Sequence, residues 1–269
     1  MTINVDLTKA REVAEKSGNS FHYKVVNFLR TLGWTTLISP YYTDNLSDKP
    51  REIDIVAEKE YIVKDVFGSW TGTVNVKLFI ECKYINNETI FWFDEKDKEK
   101  AIKRIMTDTG LSHPEENSRT NGHHYLKNDK VAKLFSSNPD KTLDNELIYK
   151  AINQSLNAMV YYKNSGSILS NRRQEQYIKK IINYPLILCN TFDKFYKIDI
   201  GDNNPSKIDD NFQLEINYAY LDKDKNSQSD YFLIDIIDFS NDRFNNFLKG
   251  LEEADIIPIK DSLRDKYLK

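Results

Sequence analysis

Residues 76–83, Val76-Lys77-Leu78-Phe79-Ile80-Glu81-Cys82-Lys83, leave this chain little freedom in how it folds. Side chains alternate faces along a β-strand. Val76, Leu78, Ile80 and Cys82 therefore form one apolar side, while Glu81 and Lys83 share the other, roughly 7 Å apart. One strand upstream, Pro50-Arg51-Glu52-Ile53-Asp54-Ile55-Val56-Ala57 carries a lone aspartate between apolar residues. If the two segments pair, Asp54, Glu81 and Lys83 converge on one polar spot at a sheet margin, with apolar residues at 53, 55, 76, 78, 80 and 82 holding the faces. The plainer alternative is an exposed Glu81–Lys83 pair on a half-buried strand, with Asp54 an ordinary polar-face residue.

Two carboxylates and an ammonium in that arrangement point to a particular chemistry. Mg²⁺ is a hard cation that takes one or two carboxylates plus waters and phosphate oxygens. Asp54 and Glu81 meet that need, and the main-chain carbonyl of Cys82 is a further candidate ligand. A cation there lowers the pKa of water and polarises a phosphate, and a neighbouring lysine offsets the charge that grows during attack on a phosphodiester.

The surrounding pattern predicts an α/β protein. A short helix is expected over 7–17, ended by Gly18. A second begins at Asn19 or Ser20, either of which can cap it, and has Phe21, Val25, Phe28, Leu29 and Leu32 on one face. Gly33 stops it, and strands are expected over 34–42, 51–63 and 74–85. The stretch 86–145 reads as an irregular insertion holding one charged helix over 96–106. A long amphipathic helix follows over 144–162, a charged one over 171–180, and a buried strand over 184–190. Strands at 214–220 and 231–238 and a helix over 241–253 complete one domain spanning 1–269. Its expected form is a central mixed β-sheet flanked by helices on both faces.

Composition sets bounds on partners. Charged residues make up 29% of the 269, yet the net charge is only −3, so any grip on nucleic-acid phosphates has to be local. Lys96 to Arg104, Lys127 to Lys133, and Arg172-Arg173 with Lys179-Lys180 are the candidate patches, each equally readable as a solvated face. No apolar run approaches the roughly twenty residues of a membrane span. The start of the chain has no basic-then-apolar leader, so a cytoplasmic location is expected. Cys82 and Cys189 both lie in apolar runs and read as buried free thiols. His113 and the adjacent His123-His124 read as loop histidines, poorly spaced for chelation, and Asp235 and Asp238 as polar-face residues.

With these residues in order, the chain resembles the restriction-endonuclease-like fold, the PD-(D/E)XK nuclease superfamily. The resemblance is carried by Tyr41-Tyr42, Asp44, Lys49-Pro50-Arg51-Glu52-Ile53-Asp54 and Ile80-Glu81-Cys82-Lys83. It covers about residues 18–85 and reaches 144–190 more loosely. It implies that Asp54 and Glu81 hold a metal, Mg²⁺ or Mn²⁺, and that Lys83 is the catalytic lysine. It also implies a DNA endonuclease in bacterial defence or restriction, working as a homodimer because one site cuts one strand.

The chain departs from that pattern on its first long helix. Many members carry a glutamate after a glycine and an aromatic, where this chain has Gly18-Asn19-Ser20-Phe21-His22. An imidazole at His22 could ligate Mn²⁺ or relay a proton, or simply flank the apolar face. Gln154, on the long helix, is the analogue of the glutamine or tyrosine that supports the site or a phosphate in related nucleases. A catalytically silent module that binds nucleic acid or a partner protein is the competing expectation.

Overall fold

Runs of valine, isoleucine and phenylalanine between residues 55 and 82, and again between 181 and 188, suit a pleated surface covered on both sides. The computed structural model describes residues 7–44, 47–116, 118–137, 145–163, 178–222 and 225–266. In chain order these form α1 (Thr8–Lys16), α2 (Gly18–Thr31), β1 (Thr35–Ile38), β2 (Tyr41–Thr43), β3 (Pro50–Glu52), β4 (Ile55–Lys64), β5 (Trp70–Lys83) and β6 (Thr89–Glu95). Next come α3 (Lys98–Thr109), β7 (Lys130–Ser137), α4 (Asn145–Tyr162), β8 (Ile178–Cys189), β9 (Phe195–Asp199) and β10 (Ser206–Lys207). The last elements are β11 (Phe212–Leu221), β12 (Ser227–Asp238), α5 (Arg243–Leu251), a π-helical turn (Glu252–Ile256) and α6 (Ile257–Lys266).

The result is an α/β protein with one large mixed sheet of ten strands, in the order β1-β4-β5-β8-β12-β11-β7-β6-β9-β10; β2 and β3 pair separately. β1, β4 and β5 form the expected antiparallel meander. β5, β8 and β12 run parallel, so Lys83, Cys189 and Asp238 arrive together at one end of the sheet. Cores lie on both faces. On one, α2, α3, α5 and α6 bury Ile55, Val76, Leu78, Ile80 and Leu186. On the other, α4 covers Val56, Phe79, Ile187 and Ile234. Each such fully buried aliphatic or aromatic side chain contributes about 1.5–3 kcal/mol relative to exposure.

Several expected boundaries move. The strand expected over 34–42 splits at Ser39-Pro40, where Ser39 takes a left-handed φ of 51° that no continuous strand accommodates. The strand expected over 51–63 also breaks, at a bend on Asp54. Ile53 therefore packs in the α4-side core and Ile55 in the opposite one, instead of sharing a face. α2 begins at Gly18 after an extended Ser17, with no side-chain cap from Asn19 or Ser20.

The described residues of the stretch 86–145, expected to hold a single charged helix, supply β6, α3, two short 3₁₀ turns and β7. α3 is set at both ends: Asp97 accepts from the Lys100 amide, and Gly110 closes the helix at φ 70°. The helix expected over 171–180 does not reach its end, because residues 178–180 are already strand β8; its first seven residues, Arg172 and Arg173 among them, lie outside the described residues. Among the described residues, no helix is long and apolar enough to cross a membrane.

Candidate functional site

Asp54, Glu81 and Lys83 meet because register brings them together. Ile55 pairs with Ile80 across β4 and β5, so the next step outward sets Asp54 against Glu81. The bend at Asp54 then turns its side chain onto the end of β5. Asp54 Oδ2 accepts the Cys82 amide at 2.8 Å, and the Asp54 amide donates to Glu81 Oε1 at 3.3 Å. Lys83 Nζ donates to Glu81 Oε2 at 2.8 Å and lies 4.0 Å from Asp54 Oδ2. The expected convergence is present, but it is not a solvated margin. Glu81 is wholly buried, and Lys83 and Asp54 keep only 14% and 16% of their side-chain exposure.

Burial sets the electrostatics. It pushes the Glu81 carboxyl up to about 8, with Lys83 pulling it down and Asp54 pushing it further up. Burial works against the charge on Lys83, but the carboxylates of Glu81 and Asp54 outweigh it and hold its pKa above the ordinary lysine value. The Lys83 ammonium is therefore secure.

His22 completes the cluster from the other side of the bend. Its Nε2 lies 3.4 Å from Asp54 Oδ2, one-fifth exposed. The helix position that carries an acid in the resembled pattern is thus at the site, presenting nitrogen. His22, Asp54 and Cys82 offer ligand atoms within 4.8 Å of one another. The thiol is a poor member of that set, because burial and then the charges of Asp54 and Glu81 keep it protonated well above its usual range, and a thiol binds metal as its thiolate. Asp54 and His22 offer an oxygen and a nitrogen that a divalent cation such as Mn²⁺ accepts. Glu81 stands outside that grouping with both oxygens engaged by the Asp54 amide and Lys83, so it joins a cation only by giving up one of those bonds.

Gln154 does not reach the trio. It lies one step back, donating to the Glu52 carbonyl at 3.0 Å and so bracing the chain two residues before Asp54. Beside it, Ser155 donates to the Phe79 carbonyl at 2.9 Å, which docks α4 on β5.

A second polar cluster was not anticipated. His123 and His124 are not loop residues in solvent; they enter a short 3₁₀ turn over the core and are largely buried. Asp255, on the π-helical turn, accepts from the His124 amide at 2.9 Å, from the Tyr184 hydroxyl at 2.9 Å and from His124 Nδ1, and stands 3.4 Å from His123 Nε2. His124 Nε2 faces Asp235 at 3.1 Å, and Asp235 also accepts from Gln213. Burial works against a charge on His124, yet Asp255 and Asp235 together raise its pKa to about 10, while burial holds His123 down to about 4.

Asp235 and Asp238 are accordingly not polar-face residues. Both are buried, and Asp238 receives Arg243 at 2.7 Å. Lys96, placed in a surface patch by sequence, is buried against Gln213 and the Tyr125 carbonyl. Arg104 is engaged by Asp108 and lies 4.3 Å over the Phe232 ring. His113 does sit in a loop, 4.0 Å from Glu115. Both cysteines are buried and free.

Comparison of the chain with protein-family models, with curated proteins and with solved structures gives no match.

Proposed function

We propose that this protein is a metal-dependent phosphodiesterase acting on DNA, an endonuclease of the restriction-endonuclease-like kind. The observation that carries the reading is the convergence of Asp54, Glu81, His22 and a charge-secured Lys83 at one end of a mixed sheet. A divalent cation bound by Asp54, Glu81 and His22 would supply the polarisation of the phosphate and the acidification of water. Lys83 supplies a fixed positive charge to the phosphoryl oxygens as negative charge builds on them. Glu81 orients that ammonium, and the Cys82 amide holds the Asp54 carboxylate in place. Gln154 keeps the segment before Asp54 from shifting. Cleaving both strands calls for two copies, so a homodimer on DNA belongs to the proposal. A defence role in a bacterial cytoplasm follows from the sequence resemblance alone.

One observation favours the silent-module reading: both Glu81 oxygens are already bonded inside the protein, and its carboxyl holds a proton up to about 8. Plasmid nicking in Mg²⁺ or Mn²⁺ separates the two. The wild type is expected to nick, and Lys83→Met and Asp54→Asn to lose at least ~10²-fold in rate. Retained DNA binding with no cutting of duplex, single-stranded DNA or RNA in either metal overturns the hydrolase in favour of the module.

A further inference from the structure

Beside the proposed site, a cavity of about 470 Å³ opens between α4, β11 and the β2–β3 pair. That volume falls within the ~300–1,000 Å³ of small-ligand sites. Its lining combines aromatic rings with amides. On α4, Asn153 Nδ2 donates to the Tyr149 carbonyl at 2.9 Å; a carbonyl only accepts, so Asn153 Oδ1 is left as an acceptor. One turn on, Asn157 Oδ1 takes the Tyr218 hydroxyl at 2.9 Å, which leaves the Asn157 amide nitrogen as a donor. An acceptor and a donor therefore stand one helical turn apart on the same face. Tyr149, 58% exposed, offers a ring at the rim.

The cavity and the site share a wall. Tyr42 lines the cavity, pairs with Arg51, and packs in the same buried cluster as Ile53 and Phe79, the residues next to Asp54 and two before Glu81. Arg51, also in the lining, precedes Asp54 by three residues across the bend, at most about 10 Å of chain and so within the order of three stacked nucleotides. Gln154 lines the same space and is bonded to the Glu52 carbonyl between them.

From this juxtaposition we infer that the cavity takes one unstacked base of the substrate strand, a few nucleotides from the phosphate at Asp54. Nucleobases present donors and acceptors side by side on a flat ring that stacks on aromatics, which is the chemistry of this lining. The inference rests on the phosphodiesterase reading for its substrate, but its binding chemistry can be tested alone. A free nucleotide offers the same ring, yet the wall shared through Tyr42, Arg51 and Gln154 and the short reach to Asp54 favour a base that belongs to the strand.

The test is a set of single-stranded DNA 12-mers carrying one 2-aminopurine at successive positions, with wild-type protein in EDTA so that nothing is cut. A fluorescence change confined to one or two adjacent positions is expected. Tyr149→Ala should abolish it and weaken binding at least 5-fold, Asn153→Leu with Asn157→Leu at least 10-fold, while Tyr149→Phe, which keeps the ring, should bind as wild type does. Thermal melts of each variant separate lost binding from lost fold. A signal spread evenly along the strand, or one indifferent to Tyr149→Ala, overturns the base site. Equal or tighter binding of free deoxynucleoside monophosphates overturns the strand as its source. If a position-specific, Tyr149-dependent signal coexists with no cutting in Mn²⁺, the hydrolase reading fails and the base site stands; cutting without the signal gives the converse.

Discussion

Replacing Asp255 by asparagine should be among the most damaging single-atom changes in this protein. Asp255 is wholly buried and takes His124 twice, through its amide and its ring, as well as the Tyr184 hydroxyl, with His123 Nε2 close by. Asparagine keeps the volume, but one acceptor oxygen becomes a donor and the negative charge disappears. His124 retains only Asp235 as a counter-charge. Breaking one half of a buried, hydrogen-bonded charge pair costs about 3–5 kcal/mol. That is a large share of the ~5–15 kcal/mol that separates folded from unfolded domains.

Urea unfolding at pH 7, followed by far-UV circular dichroism, reads the difference from midpoint and slope. The pH dependence is a second signature. His124, raised to about 10 in the fold, binds its proton more tightly there than in the unfolded chain. Its contribution is thus complete below about 6.5 and fades as pH rises through about 10. Lys96, held down to about 8 mainly by burial, titrates in the same window with the opposite sign. The useful quantity is therefore the wild-type minus Asp255→Asn difference, in which Lys96 largely cancels. That gap should narrow between pH 7 and 10. A loss under ~1 kcal/mol at pH 7, or a gap that widens on alkalisation, refutes the assignment of His124 as a cation held by its two carboxylates.

Two further outcomes follow from the site and from α3. Mn²⁺ at about a hundred times its dissociation constant should stabilise the wild type by about 2.7 kcal/mol; differential scanning calorimetry should find that gain absent in Asp54→Asn, and an equal gain in both proteins places the metal elsewhere. Asp97→Ala removes the side chain that accepts the Lys100 amide, and should cost about 1 kcal/mol of unfolding free energy, read from urea midpoint and slope, with no change in metal response.

What could be read from the sequence was whatever a local period encodes. Alternation set the faces of β5 and β11, and the i, i+3, i+4 stripe those of α2 and α4. The same alternation placed Glu81 beside Lys83, and pairing with β4 did the rest. The kink at Asp54 was invisible because Ile53 and Ile55 fit a straight strand equally well; only the packing shows that they face different cores. His123, His124, Asp235 and Asp255 were illegible for another reason. The histidines stand more than a hundred residues from the aspartates, and a polar residue destined for a buried network has the same sequence signature as a solvated one. The one available signal was the apolar company of Asp235, in Phe232-Leu233-Ile234-Asp235-Ile236-Ile237, where a buried carboxylate requires partners from elsewhere.

The burial of the Glu81–Lys83 pair follows from the order of the sheet more than from the pair itself. β5 is an interior strand, with β4 antiparallel on one side and β8 parallel on the other. A parallel neighbour requires a crossover, and the helix α4 lies between β5 and β8 in the chain and packs over both. Its docking through Ser155 and Phe79 puts the α4 side of β5, the side that carries Glu81, under cover. Burial there holds the Glu81 carboxyl up to about 8 even with Lys83 two residues on, and Glu81 and Asp54 in turn hold the lysine's ammonium firmly. Exchanging Lys83 for methionine thus does more than remove a charge from the proposed chemistry. It removes the cation that pulls the Glu81 carboxyl down, so that carboxyl keeps its proton to higher pH and the affinity for a divalent ion should fall together with the rate. A Lys83→Met protein that binds Mn²⁺ as tightly as wild type at pH 7, measured by titration calorimetry, would show that Glu81 is not among the ligands.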